Sequence, residues 1–252
     1  MNISSHTAAP PTLSVVAPAF NEQESIEDFV AEVCRNLDSS NEAYELICID
    51  DGSTDQTSRV LSDLQRRFPR LRPAAFERNH GQSAALAAGV AMASGRYIAL
   101  TDADLQNDPA DIVRMLRMLL EEASVDCVVG VRAQRRDSWL RRVSSKIANA
   151  IGRWITKAQV RDGACGLKVC RADLLKRVPF FRGAHRFIAT LVMLEGGRVR
   201  EVEVNHRPRL RGESKYGSGL GRTFIALRDA LGVRWMMDRR INYTLRAPGS
   251  RT

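Results

Sequence analysis

Two aspartates follow a short apolar run near the middle of the chain, and their spacing suits metal-assisted phosphate chemistry. The run Tyr97–Leu100 leads through Thr101 to Asp102 and Asp104, which stand one residue apart. An apolar run bounded by polar residues is typical of a buried strand, and side chains two positions apart along a strand share a face. Carboxylates so close repel each other unless a cation lies between them. Because hard divalent cations take oxygen ligands and substrate phosphates, the segment predicts a metal–diphosphate site; a solvated turn with two unrelated acids is the alternative.

Two further groups of polar residues stand where other predicted strands end. Residues 13–20 form an apolar run followed by Asn21 and Glu22, and residues 44–50 lead into Asp51. Because parallel strands end at one edge of an open α/β sheet, the three groups should converge in one crevice. The chain lacks both a G-x-G-x-x-G after its first strand and a G-x-x-x-x-G-K-[ST] pattern. These absences argue against a dinucleotide-dependent dehydrogenase and a P-loop enzyme.

The elements that position these groups alternate between strand and helix in the first half of the chain. Strands are predicted at 13–20, 44–50, 72–77, 97–101 and 127–131, and helices at 22–37, 55–68, 81–93 and 108–122. This order predicts an α/β fold with a mostly parallel sheet and helices on both faces. Later in the chain we predict a basic helix at 138–157, a loop at 162–171, a helix at 186–195, a strand at 198–205 and a basic loop at 207–221.

The charge of the chain is distributed unevenly. The net charge is +9, but residues 1–129 carry 10 basic and 20 acidic residues, whereas residues 130–252 carry 28 and 9. Such asymmetry predicts that the second half meets a polyanion. Nucleic acid, an anionic bilayer and phosphorylated substrates are the candidates, and a solvated basic face is the alternative.

The cysteines and the two ends of the chain indicate a cytosolic protein. The five cysteines are odd in number and have no C-x-x-C spacing, which favours reduced core thiols over a disulfide framework or a zinc site. Residues 1–12 are polar, without the pattern of a signal peptide, and no run of about 18 apolar residues is present to span a membrane. Near the other end, apolar residues recur at helical spacing among arginines, which predicts a basic amphipathic helix over 220–240. It lies in a membrane interface or docks on the core.

The ordered motifs of the chain resemble those of family 2 inverting glycosyltransferases of the GT-A (nucleotide-diphospho-sugar transferase) fold. The resemblance is greatest to the branch of dolichyl-phosphate mannose synthases and bacterial polyprenyl-phosphate glycosyltransferases. It covers roughly residues 13–230 and depends on these segments: Pro18-Ala19-Phe20-Asn21-Glu22, Asp50-Asp51-Gly52-Ser53, Asn79-His80-Gly81-Gln82, Asp102-Ala103-Asp104-Leu105-Gln106, Val129-Gly130-Val131-Arg132 and Gly212-Glu213-Ser214-Lys215-Tyr216. The implied organisation is a flexible N-terminus (1–12), a glycosyltransferase domain with a Rossmann-like sheet (13–217), and a basic C-terminal helix and tail (218–252).

The resemblance also implies a role for individual residues. Asp104, Arg132 and Asp162 would be catalytic, with Asp162 at an acidic position close to the reacting centre. Pro18, Phe20, Glu22, Asp51, Asp102 and Ala103 would bind the nucleotide sugar, with Asp50 as the alternative to Asp51 at the base or ribose. Asp102, Asp104 and Gln106 would hold Mg²⁺ or Mn²⁺ with the diphosphate. Arg141, Ser145, Arg209 and Lys215 would bind the acceptor phosphate.

The implied activity is transfer of a hexose, mannose or glucose, from a nucleoside-diphosphate sugar to a polyprenyl (dolichyl or undecaprenyl) phosphate lipid. One alternative keeps the fold and uses a saccharide or other hydroxyl acceptor in cell-envelope glycan synthesis; another is a non-catalytic basic module for nucleic acid or membrane. Many members of this branch carry transmembrane helices after the catalytic domain, and this chain ends without one. We therefore expect a cytoplasmic protein, peripheral on the inner face of the plasma membrane. It would be held by the bilayer surface or by a membrane-anchoring protein partner, and no nucleic acid partner is expected.

Overall fold

The computed structural model describes residues 10–132, 160, 162–163, 165–208 and 220–241, and the side chains of the last helix from residue 225 onward. Its strands are β1 (Leu13–Ala19), β2 (Tyr44–Asp50), β3 (Leu71–Ala75), β4 (Tyr97–Leu100), β5 (Cys127–Arg132), β6 (Lys168–Arg171) and β7 (Val199–Val204). Its helices are α1 (Ile26–Asp38), α2 (Thr57–Arg67), α3 (Gln82–Met92), α4 (Pro109–Glu121), α5 (Ala172–Leu175), α6 (Ile188–Leu194) and α7 (Leu220–Asp238), with a 3₁₀ turn at Ala184–Arg186.

The seven strands form one sheet in the order β3-β2-β1-β4-β6-β5-β7. The first four strands of this order pair in parallel, and β5 pairs in parallel with β7. Between these two groups, β6 runs antiparallel to both β4 and β5. The carboxyl ends of β1, β2, β4, β5 and β7 therefore lie along one edge, together with the first residue of β6. We call this edge the carboxyl edge, and the prediction of an α/β fold with a mostly parallel sheet is confirmed.

Strand β6 corrects the sequence prediction, which made residues 162–171 a loop. Only Val169 and Cys170 are apolar in this strand, and a charged residue stands at each end. A two-residue apolar core is too short to show the alternation that identifies a strand. The strand forms because its neighbours β4 and β5 pair with both of its sides. The basic helix predicted at 138–157 lies outside the described residues.

Helices cover both faces of the sheet and bury its strands. Helices α1, α2 and α4 pack on one face through residues such as Phe29, Leu61 and Met115. Helices α3, α5 and α6 pack on the other through residues such as Val90 and Ile188. Helix α3 approaches especially closely, because a Cβ at Gly89 would overlap the Val16 side chain. The Ala-rich composition of α3, which predicts close packing, is explained by this contact.

The cysteines divide into two groups. Cys127 and Cys170 lie directly opposite each other across β5 and β6, with their Cα atoms 4.0 Å apart, and the structure joins them in a disulfide. The prediction of reduced thiols is therefore wrong for this pair, because the unpredicted strand β6 pairs with β5 and brings Cys170 beside Cys127. Cys34, Cys48 and Cys165 are free and buried, as expected of core thiols.

The predicted domain limits at residues 12 and 217 stay predictions. The carbonyls of Pro11 and Thr12 accept hydrogen bonds from the amides of Arg96 and Tyr97, so backbone pairing begins just before β1. The limit at 217 falls outside the described residues. Among the helices that the structure describes, none is both long enough and apolar enough to cross a bilayer.

Candidate functional site

A cavity of about 230 Å³ opens at the carboxyl edge where β1, β2 and β4 end. We call it the edge cavity. It brings together eight residues that the sequence analysis assigned to nucleotide sugar or metal, and its lining also includes Ala19 and Gln82, which received no such role. The eight are Pro18, Phe20, Glu22, Asp51, Asp102, Ala103, Asp104 and Gln106. The three polar groups predicted from separate strand ends therefore converge, because parallel strands end on the same side.

The turn after β1 is held by side chains from the turn after β2. Asn21 adopts a left-handed backbone with φ of 53°, which asparagine tolerates better than most residues. The side-chain oxygen of Asn21 accepts a hydrogen bond from the backbone amide of Thr54 at 2.8 Å, and the backbone amide of Asn21 donates to Ser53 Oγ at 2.8 Å. The Glu22 amide donates to Thr57 Oγ1 at 2.8 Å. These bonds fix the positions of Phe20 and Glu22 at the cavity mouth.

Asp51 is 2% exposed, and its carboxylate supports the turn that precedes α3. It accepts hydrogen bonds from the backbone amides of His80 at 2.7 Å and Gly81 at 2.9 Å, and from Asn79 Nδ2 at 2.9 Å. Because the Asp51 carboxylate already accepts these hydrogen bonds, Asp51 shapes the cavity wall by holding residues 79–81 in place. Asp50, the alternative, is also buried; its carboxylate accepts from the Ser53 amide at 3.0 Å and is not part of the cavity lining.

Asp102 and Asp104 both line the edge cavity, but a turn places them there rather than the pleat of a strand. Strand β4 ends at Leu100, and Leu105 takes a left-handed φ of 60° within the turn. Asp102 Oδ1 accepts from Gln82 Nε2 at 2.7 Å, and Asp104 Oδ1 accepts from the Gln106 amide at 3.1 Å. Gly166 packs so closely on this turn that a Cβ there would overlap Asp102 Oδ2.

The donor chemistry of this turn suits a hard cation. Asp102, Asp104 and Gln106 line the same cavity, and Mg²⁺ typically takes one or two carboxylates together with substrate phosphates. Within the part of the chain that the structure describes, no three acidic, histidine or cysteine side chains are grouped to hold a metal. An ion held by this turn would take further oxygen ligands from the substrate diphosphate.

A second cavity of about 180 Å³ lies on the far side of Asp102. We call it the inner cavity. It shares only Asp102 and Gln82 with the edge cavity, so the hydrogen bond between these two side chains stands at the boundary. Its other lining residues are Leu86, Leu100, Thr101, Cys165, Gly166, Lys168, His185, Arg186 and Ile188.

Lys168 is the main residue of this region that the sequence analysis missed. It is 1% exposed at the start of β6, and its Nζ donates to the Cys165 carbonyl. Burial lowers the pKa of Lys168 below its ordinary 10.5, while Cys165, Asp102 and Asp162 act in the opposite direction. No local pattern marks Lys168 in the sequence, because Asp102 is distant along the chain and β6 has only two apolar residues.

Arg132 and Asp162 form a two-pronged ion pair at the end of β5. The guanidinium donates to both carboxylate oxygens, at 2.9 and 3.0 Å. The Asp162 side chain is only 4% exposed and that of Arg132 is 21% exposed. Charge-assisted bonds of this geometry fix orientation strongly, so Asp162 holds the Arg132 guanidinium in a defined position at the carboxyl edge.

The predicted acceptor-phosphate residues Arg141, Ser145, Arg209 and Lys215 lie outside the described residues. The structure does describe the chain just before Arg209. The Arg207 amide donates to the Gln106 carbonyl at 2.8 Å, and Asn107 and His206 form a β-bridge. The chain therefore passes next to the turn of the two aspartates before it reaches Arg209.

Comparison with known proteins agrees with this geometry. The model of glycosyl transferase family 2 matches residues 14–180. Dodecaprenyl-phosphate galacturonate synthase of Rhizobium johnstonii is 40% identical over 229 residues, which are 89% of this chain and 67% of that protein. Undecaprenyl-phosphate 4-deoxy-4-formamido-L-arabinose transferase of Edwardsiella ictaluri is 34% identical over 206 residues, 81% of this chain and 63% of that protein. The chain thus spans about two thirds of the length of these relatives.

Similarity to solved structures identifies the fold. Glucosyl-3-phosphoglycerate synthase of Mycobacterium tuberculosis, in complex with Mn²⁺, UDP and phosphoglyceric acid, matches 92% of this chain and 80% of its own, with a TM-score of 0.67 and 19% identity. At that identity the match establishes the GT-A architecture alone. The family model covers most of the chain, and the motifs that contain Glu22, Asp51 and Asp104 line the edge cavity. The chain therefore belongs to glycosyl transferase family 2.

Proposed function

We propose that the protein transfers a hexose, with inversion, from a nucleoside-diphosphate sugar to a polyprenyl phosphate. The observation that carries this proposal is the edge cavity, in which Phe20, Glu22, Asp102 and Asp104 meet at the carboxyl edge. Crevices at this edge are where open α/β sheets bind nucleotides. The two relatives are named for transfer to dodecaprenyl and undecaprenyl phosphate, which supports a lipid phosphate as the acceptor here.

The leaving group explains why acids and a metal belong at this edge. Breaking the sugar–phosphate bond releases a nucleoside diphosphate with growing negative charge, and a bound cation supplies Lewis-acid stabilisation of that charge. Asp102, Asp104 and Gln106 would hold Mg²⁺ or Mn²⁺ for this purpose. The Mycobacterium tuberculosis structure, which contains Mn²⁺ together with UDP, supports a divalent ion in this fold.

The ion pair at β5 supports a phosphate acceptor over a hydroxyl acceptor. A phosphate monoester has a second pKa of about 6 and is ionised at neutral pH, so it needs neutralisation and orientation rather than a base. A hydroxyl acceptor would need a carboxylate able to take its proton. Asp162 pairs with Arg132 at 2.9 and 3.0 Å, so a base at this position would have to act from within an ion pair. Arg141, Ser145, Arg209 and Lys215 would complete the acceptor site.

The relatives do not fix the identity of the sugar, and one of them is named for a pentose derivative. The family resemblance implies mannose or glucose, while the two relatives are named for galacturonate and for a 4-deoxy-4-formamido-arabinose. These sugars differ in charge as well as in shape, so the relatives do not choose between them.

The exposed residues of helix α7 support the proposal that the protein acts at a membrane surface. Leu231 and Trp235 lie one helical turn apart and are 56% and 62% exposed, and Ile241 beyond the helix is exposed as well. Arg228, Arg239 and Arg240 are exposed on the same helix or just after it. Exposed apolar side chains and arginines together favour contact with an anionic bilayer, although the apolar residues of α7 are spread around the helix rather than confined to one face. We therefore place the protein at the inner face of the plasma membrane, held by α7, by bilayer charge or by a membrane-anchoring protein.

The test is transfer of labelled sugar into lipid. Purified protein is incubated with undecaprenyl phosphate vesicles, Mg²⁺ or Mn²⁺, and a panel of radiolabelled UDP- and GDP-hexoses, and organic-extractable label is counted. We expect label that EDTA abolishes and that Asp104→Ala reduces at least about a hundredfold. Asp63→Ala, an exposed change on α2, is the matched control and should keep full activity.

Two outcomes would replace the proposal. Label that enters a saccharide but not the lipid would favour the hydroxyl acceptor. Binding of DNA that is sensitive to salt, with no metal-dependent binding of any sugar nucleotide, would favour the non-catalytic basic module.

A further inference from the structure

The chain that follows β7 lies against the turn of the two aspartates and the start of α4. The backbone amide of Asn205 donates to Asp111 Oδ2, a buried carboxylate in the first turn of α4, at 2.8 Å. Two residues later, the backbone amide of Arg207 donates to the Gln106 carbonyl at 2.8 Å. Residues 205–207 therefore support the turn at residues 102–106, although the two segments are far apart in the sequence.

The side chain of Arg207 joins two acids that belong to different elements. Its Nη1 lies 2.6 Å from Glu32 Oε1 on α1, and its Nη2 lies 2.9 Å from Asp108 Oδ2. Asp108 is the N-cap of α4, and its side chain also accepts from the Ala110 amide at 3.0 Å. A planar guanidinium holds two carboxylates in fixed directions. We call these two contacts the Arg207 bridge, and it fixes Arg207 against both α1 and the start of α4.

The turn at residues 102–106 contains a backbone conformation that needs such support. Leu105 has a φ of 60°, an unfavourable left-handed value that persists only where the surrounding contacts determine it. The next residue is held on both sides. The Gln106 amide donates to Asp104 Oδ1 at 3.1 Å, and its carbonyl accepts from the Arg207 amide. Arg207 therefore holds the residue that follows the strained position, and through it Asp104.

We propose that Arg207 is a positioning residue for the metal–diphosphate site. The Arg207 bridge holds Gln106, and with it Asp104, in the conformation that binds the divalent cation and the donor diphosphate. Without the bridge the turn would relax, and binding would have to order it again at a cost in affinity. This inference rests on the proposed function. It adds a residue that lies outside the lining of the edge cavity and acts on the cavity through the turn.

The test separates the metal-dependent part of nucleotide binding from the rest. Calorimetry measures Kd for UDP, GDP, CDP and dTDP in Mn²⁺ and in EDTA, and we call the Kd in EDTA divided by the Kd in Mn²⁺ the metal enhancement. For the nucleotide that the wild type binds most tightly, Arg207→Gln should lower the metal enhancement about tenfold, the scale on which one strained backbone residue acts. The Kd in EDTA should change less than about twofold, because the nucleoside contacts are independent of the bridge.

Arg200→Gln is the matched control, because Arg200 on β7 also pairs with an acid near α4, Glu122, but away from the turn. It should keep the wild-type metal enhancement. If Arg207→Gln does not fold, as judged by circular dichroism, Glu32→Gln takes its place. That variant removes one of the two contacts of the bridge and should lower the metal enhancement at least about threefold.

The outcomes separate this inference from the proposed function. A role in folding alone would lower the free energy of unfolding and leave the metal enhancement of the folded variant unchanged. That result, or an equal loss in Arg200→Gln, overturns the positioning role while leaving a sugar transferase in place. Absence of metal-dependent binding of all four nucleotides by the wild type overturns both.

Discussion

The ion pair between Arg132 and Asp162 decides between two kinds of acceptor, and a double-mutant cycle measures its role. If Asp162 acts by holding Arg132, then removing Arg132 makes Asp162 irrelevant to catalysis. If Asp162 is a general base for a hydroxyl acceptor, its loss matters whether or not Arg132 is present. The variants are Asp162→Asn, Arg132→Gln and the two together, and non-additivity of their effects is the quantity of interest.

The expected loss of stability follows from the burial of the pair. Neutralising one partner of a buried ion pair costs about 3–5 kcal/mol, and an exposed pair is worth about 0–1 kcal/mol. The side chain of Asp162 is 4% exposed, but that of Arg132 is 21% exposed and partly hydrated. We therefore expect Asp162→Asn to lower the free energy of unfolding by about 2–3 kcal/mol. For a chain of this size the melting temperature should fall by about 4–12 °C.

The assay is the initial rate of sugar transfer to undecaprenyl phosphate, with urea unfolding of the same samples. If Asp162 is a positioning residue, its replacement should lower kcat about tenfold. The double variant should then be no slower than Arg132→Gln alone. Asp63→Asn, whose contact with Arg66 is exposed and 3.7 Å long, is the control and should change stability by less than about 0.5 kcal/mol. A double variant that is tenfold or more slower than Arg132→Gln would refute the positioning role, and a loss of 10²–10⁴ in Asp162→Asn alone would indicate a base.

Two further predictions concern the turn of the aspartates and the acid sensitivity of the fold. Gly166→Ala should weaken metal-dependent donor binding at least about tenfold, because the new methyl group displaces Asp102; calorimetry measures this, and Gly232→Ala, where a Cβ meets nothing within 4 Å, is the control. Equal donor affinity in both variants would show that Asp102 can move without cost. Burial raises the pKa of Glu45, but hydrogen bonds from Ser14, Ser94 and Arg72 outweigh burial and lower it from 4.5 to about 2. A lowered pKa adds stability above the unfolded value, which is lost as pH falls toward 2. Urea unfolding between pH 5 and pH 2 should therefore show a steeper loss in the wild type than in Glu45→Gln, and parallel losses would contradict this assignment.

The edge cavity could be predicted from sequence because each of its parts follows a pattern of neighbouring residues. Each apolar run ends in polar residues, and the alternation of strands with helices implies parallel pairing. Parallel pairing alone then brings Phe20, Asp51 and Asp102 to the same side. No knowledge of strand order beyond this rule was needed, which is why separate strand ends give one site.

The inner cavity could not be predicted in this way because it depends on a non-local insertion. Strand β6 enters the sheet between β4 and β5, which it pairs with antiparallel, and it carries only two apolar residues. Its placement buries Lys168 beside Leu100 and sets Cys170 opposite Cys127. The hydrogen bond from Gln82 to Asp102 likewise depends on where α3 begins above the sheet. Sequence spacing carries no information about these long-range contacts.

The strand order also explains why the acids and the cations of this chain occupy different halves of the sequence. Strands β1, β2 and β4 lead into acidic turns on one part of the carboxyl edge, where the proposed cation and departing diphosphate would be held. Across β6, strand β5 ends in Arg132 on the same edge, and β7 leads the chain past Gln106 toward Arg209. An ionised phosphate acceptor attacks from the side opposite the leaving group in an inverting transfer, so it needs positive charge on that second part of the edge. Within the described residues, the acidic turns and Arg132 therefore lie on different parts of the same edge.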